Sequence, residues 1–110
     1  MNYQIHITSV AERDINNAAD HIEFVLKNPK AADDLLDEAE KQISSLSKFP
    51  ERFKPVDDPV LSSWNIRFII VKNYLAFYTI DYENKLVVIV RFLYQKSNWN
   101  AILHKGIPLV

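Results

Sequence analysis

One Asn-Pro pair, Asn28-Pro29, separates two stretches in which apolar residues recur every three or four positions. That arrangement leaves the first half of the chain little choice of structure. Ala11, Ile15, Ala18, Ile22 and Val25/Leu26 make one stripe; Ala32, Leu35/Leu36, Ala39, Ile43 and Leu46 make a second. A spacing of three and four is the signature of a helix with one buried face. Ser9-Val10-Ala11-Glu12 reads as a capping box, the serine oxygen accepting an early helix N–H. Asn28 caps the second helix and Pro29 takes its first position, where a missing N–H costs nothing. Phe49-Pro50 ends it, because the residue before proline is disfavoured in the helical region. The spacing predicts helices over 9–27 and 29–49, and a link this short makes them an antiparallel hairpin.

The period changes on either side of this hairpin. Tyr3-Gln4-Ile5-His6-Ile7-Thr8 alternates as a half-buried strand does. Residues 50–63, with Pro50, Pro55 and Pro59, read as the only long loop. Three strand-length runs follow, Trp64–Val71, Tyr74–Asp81 and Leu86–Tyr94. Lys72-Asn73 forms a two-residue turn, the asparagine accepting positive φ, and Tyr82–Lys85 forms the next loop. Links so short make these strands antiparallel neighbours. Phe68-Ile69-Ile70-Val71 is apolar on both faces, which predicts a central strand. Ser97 to His104 reads as a short closing helix, with Gly106 and Pro108 beyond it. The expected fold class is α+β, in the order β-α-α-β-β-β and then a short C-terminal helix. Its antiparallel β-sheet carries the helical hairpin packed on one face.

Residues 1–110 suit a single domain. There is no cysteine, which excludes disulfides, thiolate metal sites and cysteine nucleophiles and agrees with a cytoplasmic protein. The N-terminus lacks the form of a signal peptide, and no apolar run approaches the ~20 residues that span a bilayer, so no membrane partner is expected. Gly106 is the only glycine, so there is no glycine-rich phosphate loop. His6, His21 and His104 form no ligand pair by spacing, and neither a metal nor a cofactor is expected. Charge is uneven. Residues 1–50 hold five basic and nine acidic side chains, net −4; residues 51–110 hold eight and five, net +3. Either an anionic partner for the second half or a solvated acidic helix surface on the first accounts for that asymmetry.

A series of short motifs in a fixed order carries a resemblance. Tyr3-Gln4-Ile5 opens the chain, Ala11-Glu12-Arg13-Asp14-Ile15 starts the first helix, and Asn28-Pro29-Lys30-Ala31-Ala32 sits at the helical turn. Leu46-Ser47-Lys48-Phe49-Pro50 closes the second helix. Ile66-Arg67, Lys72-Asn73-Tyr74-Leu75-Ala76-Phe77-Tyr78, Val90-Arg91-Phe92-Leu93-Tyr94 and Trp99 follow. In this order, from Tyr3 to about Leu103, the chain resembles the RelE/ParE superfamily of type II toxin–antitoxin toxins. It departs from the pattern at Asn65-Ile66, where ParE-like proteins carry glycine before the arginine, and at Tyr74, on or beside the place of an arginine. At Leu93 it departs again, where RNA-cleaving relatives carry histidine.

The resemblance implies a growth-inhibiting toxin with a cognate antitoxin as partner, and two targets: DNA gyrase for ParE-like members, the ribosome and its mRNA for RelE-like members. A catalytically inactive antitoxin-binding module of the same fold is a third reading. Metal-free RNA cleavage needs a base, an acid and cations for the phosphorane charge. Arg67 and Arg91 are the candidates for bidentate phosphate contact, Lys96 for a point charge, and Tyr94 for stacking or proton donation. Each has a structural alternative: outward arginines paired with Asp81 or Glu83, a core-edge tyrosine, a solvated lysine. Strict alternation puts Arg91 and Tyr94 on opposite faces unless the strand bulges near Leu93. Near-neutral charge and Leu93 both favour the ParE-like target over RNA. The apolar tail residues Trp99, Ile102, Leu103, Ile107, Leu109 and Val110 are expected to form a patch that a folding antitoxin segment covers.

Overall fold

Thr8 is the residue at which the first strand becomes the first helix. Its side chain accepts the Ala11 N–H at 3.1 Å, its hydroxyl reaches the Val90 carbonyl at 3.4 Å, and its own N–H donates to Ile89 at 3.1 Å. The cap is therefore Thr8, and the expected cap Ser9 is the first helical residue. The computed structural model describes residues 2–108. Strand β1 (Gln4–Ile7) leads into helix α1 (Ser9–Asp20), which continues as a π-helical turn (His21–Val25). Helix α2 (Pro29–Ser45), a 3-10 turn (Pro50–Arg52) and helix α3 (Pro59–Ser63) precede strands β2 (Arg67–Val71), β3 (Tyr74–Asp81) and β4 (Leu86–Tyr94). Helix α4 (Trp99–His104) closes the chain. Among the described residues no helix is long and apolar enough to cross a membrane.

The helical hairpin forms as expected, with the Asn28 side chain accepting the Ala31 N–H at 3.1 Å and Pro29 opening α2. Both helices are shorter than the apolar stripes suggest. α1 ends at Asp20, and Lys27 takes a left-handed φ of 55°; α2 ends at Ser45, and Phe49 takes φ 56° just before Pro50. The expected long loop is partly helical. Asp58-Pro59 repeats the signal of Asn28-Pro29, the Asp58 carboxylate accepting the Val60 and Leu61 N–H groups at 3.0 and 3.1 Å.

The sheet runs β1-β4-β3-β2 and is mixed, not antiparallel throughout. β1 lies parallel to β4, with Gln4 opposite Leu86 and Ile7 opposite Ile89. The physical reason is connection length: two-residue and four-residue links force β2, β3 and β4 into hairpins, while the chain between β1 and β2 is long enough to cross over. The two-residue turn is present, although Lys72 rather than Asn73 carries the positive φ, 57°. β2 is an edge strand and not a central one; Ile70 is 58% exposed. Its second apolar face is covered by side chains and not by a neighbouring strand, Phe68 meeting Phe77 at 5.7 Å and Trp99 at 6.3 Å between ring centres.

Both faces of the sheet are covered. The hairpin supplies Ile15, Leu35, Ala39, Ile43 and Leu46 to one core, against Ile69, Val71, Tyr78, Val87, Ile89 and Phe92. On the other face Val56, Leu61 and Leu103 pack against Leu75, Phe77, Val88, Val90 and Leu93. The tail is thus part of the fold and not a free patch: Leu103 is fully buried, and Trp99, Ile102 and Ile107 pack around it. Leu109 and Val110 lie outside the described residues. Asp58 joins α3 to α4, accepting from Asn100 Nδ2 at 3.2 Å and meeting His104 Nε2 at 2.9 Å.

Two outcomes are expected. Thr8→Ala should cost about 1–2 kcal/mol by chemical denaturation, and Ser9→Ala should stay within about 0.5 kcal/mol, reversing the ranking that a serine cap would produce. The hydrogen bond from His104, then that from the Leu61 N–H, holds the Asp58 carboxyl down from 3.8 to about 2. A carboxyl depressed in the folded state contributes stability above its ordinary range, and that contribution is lost as pH falls through about 2. Asp58→Asn should flatten the stability profile between those two values.

Candidate functional site

β1 stops at Ile7, so β4 beyond Ile89 has no strand beside it on that edge. Asp14, on α1, fills the gap. Its Oδ2 accepts the Phe92 N–H at 3.0 Å and Arg91 Nε at 2.7 Å, and its Oδ1 accepts Arg91 Nη2 at 3.1 Å. This is a bidentate guanidinium–carboxylate pair, with side chains 24% and 14% exposed. It accounts for Arg91 structurally, through Asp14 and not the expected Asp81 or Glu83. The Asp81 carboxylate instead accepts from the Asn84 N–H and side-chain amide, which holds its pKa below the ordinary carboxylate value.

Arg67 opens β2 and is 9% exposed. Its Nη1 donates to the Phe53 carbonyl and its Nη2 to Asn65 Oδ1 at 3.3 Å; among the described residues Nε has no partner. Across the sheet from it, Tyr78 donates its hydroxyl to the Pro50 carbonyl at 2.6 Å. Burial pushes that phenol up to about 12, against the lowering influence of Arg67 and Arg52. Arg67 and Tyr78 therefore tie the 50–53 segment to the sheet. Tyr94 stands opposite Tyr74, four residues from Tyr78 along β3, or about 13 Å at strand rise, and two strands from Arg67. Lys96 is exposed in the turn after β4. A bulge does occur in β4, but at Val90, since Phe77 faces Arg91 and Tyr78 faces Ile89. It precedes Arg91 and leaves the alternation from Arg91 to Tyr94 unchanged. The four predicted residues do not converge.

Tyr94 alone of the four lines a cleft. The cleft has a volume of about 570 Å³ and is bounded by His21, Ile22, Leu26, Asn28 and Ala31 from the hairpin and by Asn73, Tyr74 and Tyr94 from the sheet. The Tyr74 ring stacks on Phe92 at 5.1 Å and receives the edge of Tyr94 at 5.5 Å. Burial, then Tyr94, raises the Tyr74 phenol above its ordinary value, so it stays a hydrogen-bond donor at neutral pH. A recess of about 210 Å³ shares Ile22, Ala31, Asn73 and Tyr74 and adds Asp34, Leu35 and Lys72. The hairpin wall is the π turn, where Leu26 N–H bonds to the His21 carbonyl and Asn28 N–H to that of Ile22, each at 3.0 Å. Phe24, Val25 and Leu26 are 66%, 65% and 60% exposed. Val25 and Leu26 therefore leave the stripe to which their spacing assigns them.

His21, which spacing leaves without a role, is the one histidine in this cleft. A signal for the cleft was present in the sequence: Phe24-Val25-Leu26 is a run of three apolar residues where a one-faced helix has use for one or two. The lining includes neither lysine nor arginine. Chemically it offers stacking, apolar contact and the hydrogen-bonding side chains of His21, Asn28, Asn73, Tyr74 and Tyr94, without a lysine or arginine to hold a phosphorane charge. Among the described residues no three His, Asp or Glu side chains gather as metal ligands. Two other hollows are present: one of about 370 Å³ between β1, α1 and α2, with Glu12 and Glu40 at its wall, and one of about 490 Å³ beside Phe53, Phe68 and Trp99.

Asp14→Ala should destabilise the fold by on the order of 3 kcal/mol, because it strands a largely buried guanidinium and the Phe92 N–H together. Asp14→Ala/Arg91→Ala should recover part of that loss. A double-mutant cycle in denaturant with no coupling would rule out the clamp.

Residues 5–99 match the family described as ParE toxin of type II toxin-antitoxin system, parDE. The fold is similar to a chain of the chromosomal ParDE toxin–antitoxin system from P. aeruginosa, with TM-score 0.68 and 19% identity over 84% of this chain and 95% of that one. It is also similar to a chain of the toxin-antitoxin complex RelBE2 from Mycobacterium tuberculosis, with TM-score 0.60 and 24% identity over 86% and 99%. No curated protein is significantly similar. Matching nearly from the first strand to the start of the last helix, and sharing the fold of toxin–antitoxin proteins, the chain belongs to the ParE toxin family within the RelE/ParE superfamily.

Proposed function

We propose that this toxin acts on DNA gyrase by protein contact and is neutralised by a cognate antitoxin in the bacterial cytoplasm. One observation carries the choice of target: neither arginine candidate lines the open cleft, whose wall holds no lysine or arginine. Arg91 is engaged by Asp14, Arg67 by Phe53 and Asn65, and the cleft that holds Tyr94 has no lysine or arginine in its wall. A polyanion gains most of its affinity from such groups, whereas a protein surface does not depend on them. In this assignment Arg67 and Arg91 hold the fold, Tyr94 contacts the target, and Lys96 adds an exposed charge at the same end of β4. The antitoxin partner is supported by the P. aeruginosa ParDE system and the M. tuberculosis RelBE2 complex, both toxin–antitoxin pairs. Ribosome-dependent mRNA cleavage is the second reading, favoured by one feature, that His21 and Tyr94 line one cleft.

Induced expression should arrest growth, and co-expression of the antitoxin should relieve it. The purified protein should inhibit gyrase supercoiling and leave mRNA on translating ribosomes uncut. Cut mRNA with unimpaired supercoiling overturns the assignment, and no growth arrest at all would identify an inactive antitoxin-binding module.

A further inference from the structure

We infer that the turn of the helical hairpin is the face with which this toxin engages its target, Phe24, Val25 and Leu26 acting as the anchor and the Tyr94 cleft receiving an apolar side chain of the target protein. The inference rests on reading the chain as a toxin that acts on a protein.

The backbone itself produces the anchor. A regular helix would carry the stripe Ile15, Ile22, Leu26 along one buried face. The π turn, with bonds spanning five residues instead of four, adds a residue to the turn and rotates everything after Ile22 away from the core. Here the turn ends the helix and surrenders regular hydrogen bonding for a local change of direction. Three adjacent apolar residues, each about two-thirds exposed, are the result. Single exposed apolar residues are ordinary; a contiguous run beside a cleft marks an interaction surface.

The chemistry of the partner follows from the lining and its charge. Tyr94 is 43% exposed and edges against Tyr74, a half-open aromatic pair that suits an inserted apolar side chain. Asp20 and Glu23 flank the anchor on the α1 side, and Asp33, Asp34 and Asp37 continue along α2. Lys30 is paired with Asp34 at 3.3 Å, and Lys72 shares the adjoining recess with that same Asp34; Lys27 is the remaining cation of the turn. With the exposed Lys96 beyond Tyr94 included, these five acids face four lysines, a slight acidic excess that suits an apolar protein patch fringed by lysine or arginine better than a nucleic-acid backbone. A protruding anchor beside a small cleft fits a folded partner. The groove of about 370 Å³ along edge strand β1 offers a different geometry, suited to an extended segment.

Phe24→Asp/Leu26→Asp and, separately, Tyr94→Ala test this in the full chain. All three side chains are exposed, so thermal midpoints should stay near wild type, and Tyr94→Ala, which adds no buried charge, serves if the double variant unfolds. The expected result is at least a tenfold rise in the expression needed for growth arrest, and at least a tenfold loss in gyrase inhibition, with the antitoxin still co-purifying. Full toxicity in folded variants overturns the inference. So does simultaneous loss of antitoxin binding, which would assign this face to the antitoxin. Salt-sensitive binding of a short single-stranded RNA that both variants abolish would assign it to nucleic acid and overturn it as well. A wild-type chain that arrests growth without inhibiting supercoiling would overturn the gyrase assignment, and the growth readout would still decide the docking face.

Discussion

The Asp14 carboxylate, inserted where β1 runs out, is the interaction on which the rest of the structure depends. A strand four residues long cannot pair the whole of a nine-residue neighbour, and the C=O and N–H groups beyond its end need other partners. Thr8 and Asp14 supply this end of the molecule with its substitutes. Thr8 bonds β4 at Ile89 and Val90 while capping α1, and Asp14 takes the Phe92 N–H while gripping Arg91. The helix is thereby joined to the sheet by hydrogen bonds as well as by its apolar stripe, and its axis is set relative to β4. The position of the π turn at its far end follows from that anchoring.

Burial on both faces follows from the strand order. β4 and β3 are central, so their apolar runs need cover above and below. The hairpin covers one side. The other is covered by α3, α4 and the segment before β2, elements too short to be stable alone. They are held by a specific tie, Asp58 to His104 and Asn100. On the hairpin's own face, Arg67 to Phe53 and Tyr78 to Pro50 tie the segment after α2 to the sheet, which uses up Arg67 as Asp14 uses up Arg91. Structural demand engages both guanidiniums in internal bonds, and the wall of the open cleft holds no lysine or arginine. That division of labour is what supports the proposed protein target.

Several features of this molecule are legible in the order of its residues. The hairpin is, because Asn28-Pro29 and the three-and-four spacing act over one or two helical turns. β3 and β4 are, to the residue, because two-residue and four-residue links and alternating apolar side chains act between neighbours in the chain. α3 was legible too, in Asp58-Pro59, which carries the same cap-and-proline chemistry as Asn28-Pro29. The cleft was half visible, in the excess of apolar residues at Phe24-Val25-Leu26, although nothing local says that Tyr94 and His21 stand beside them.

Sequence alone therefore determined most of the elements and their class, since each depends on short-range periodicity, capping and turn length, while the ordered motifs carried the family resemblance. Tertiary structure alone decided that β1 lies parallel to β4, that β2 is an edge, that Asp14 captures Arg91 from 77 positions away and that the tail folds under the sheet. Each of these is a competition among long-range pairings of similar local character. Many strands alternate and several acids could meet an arginine, so the winner is the arrangement that satisfies the most buried N–H groups and apolar faces together.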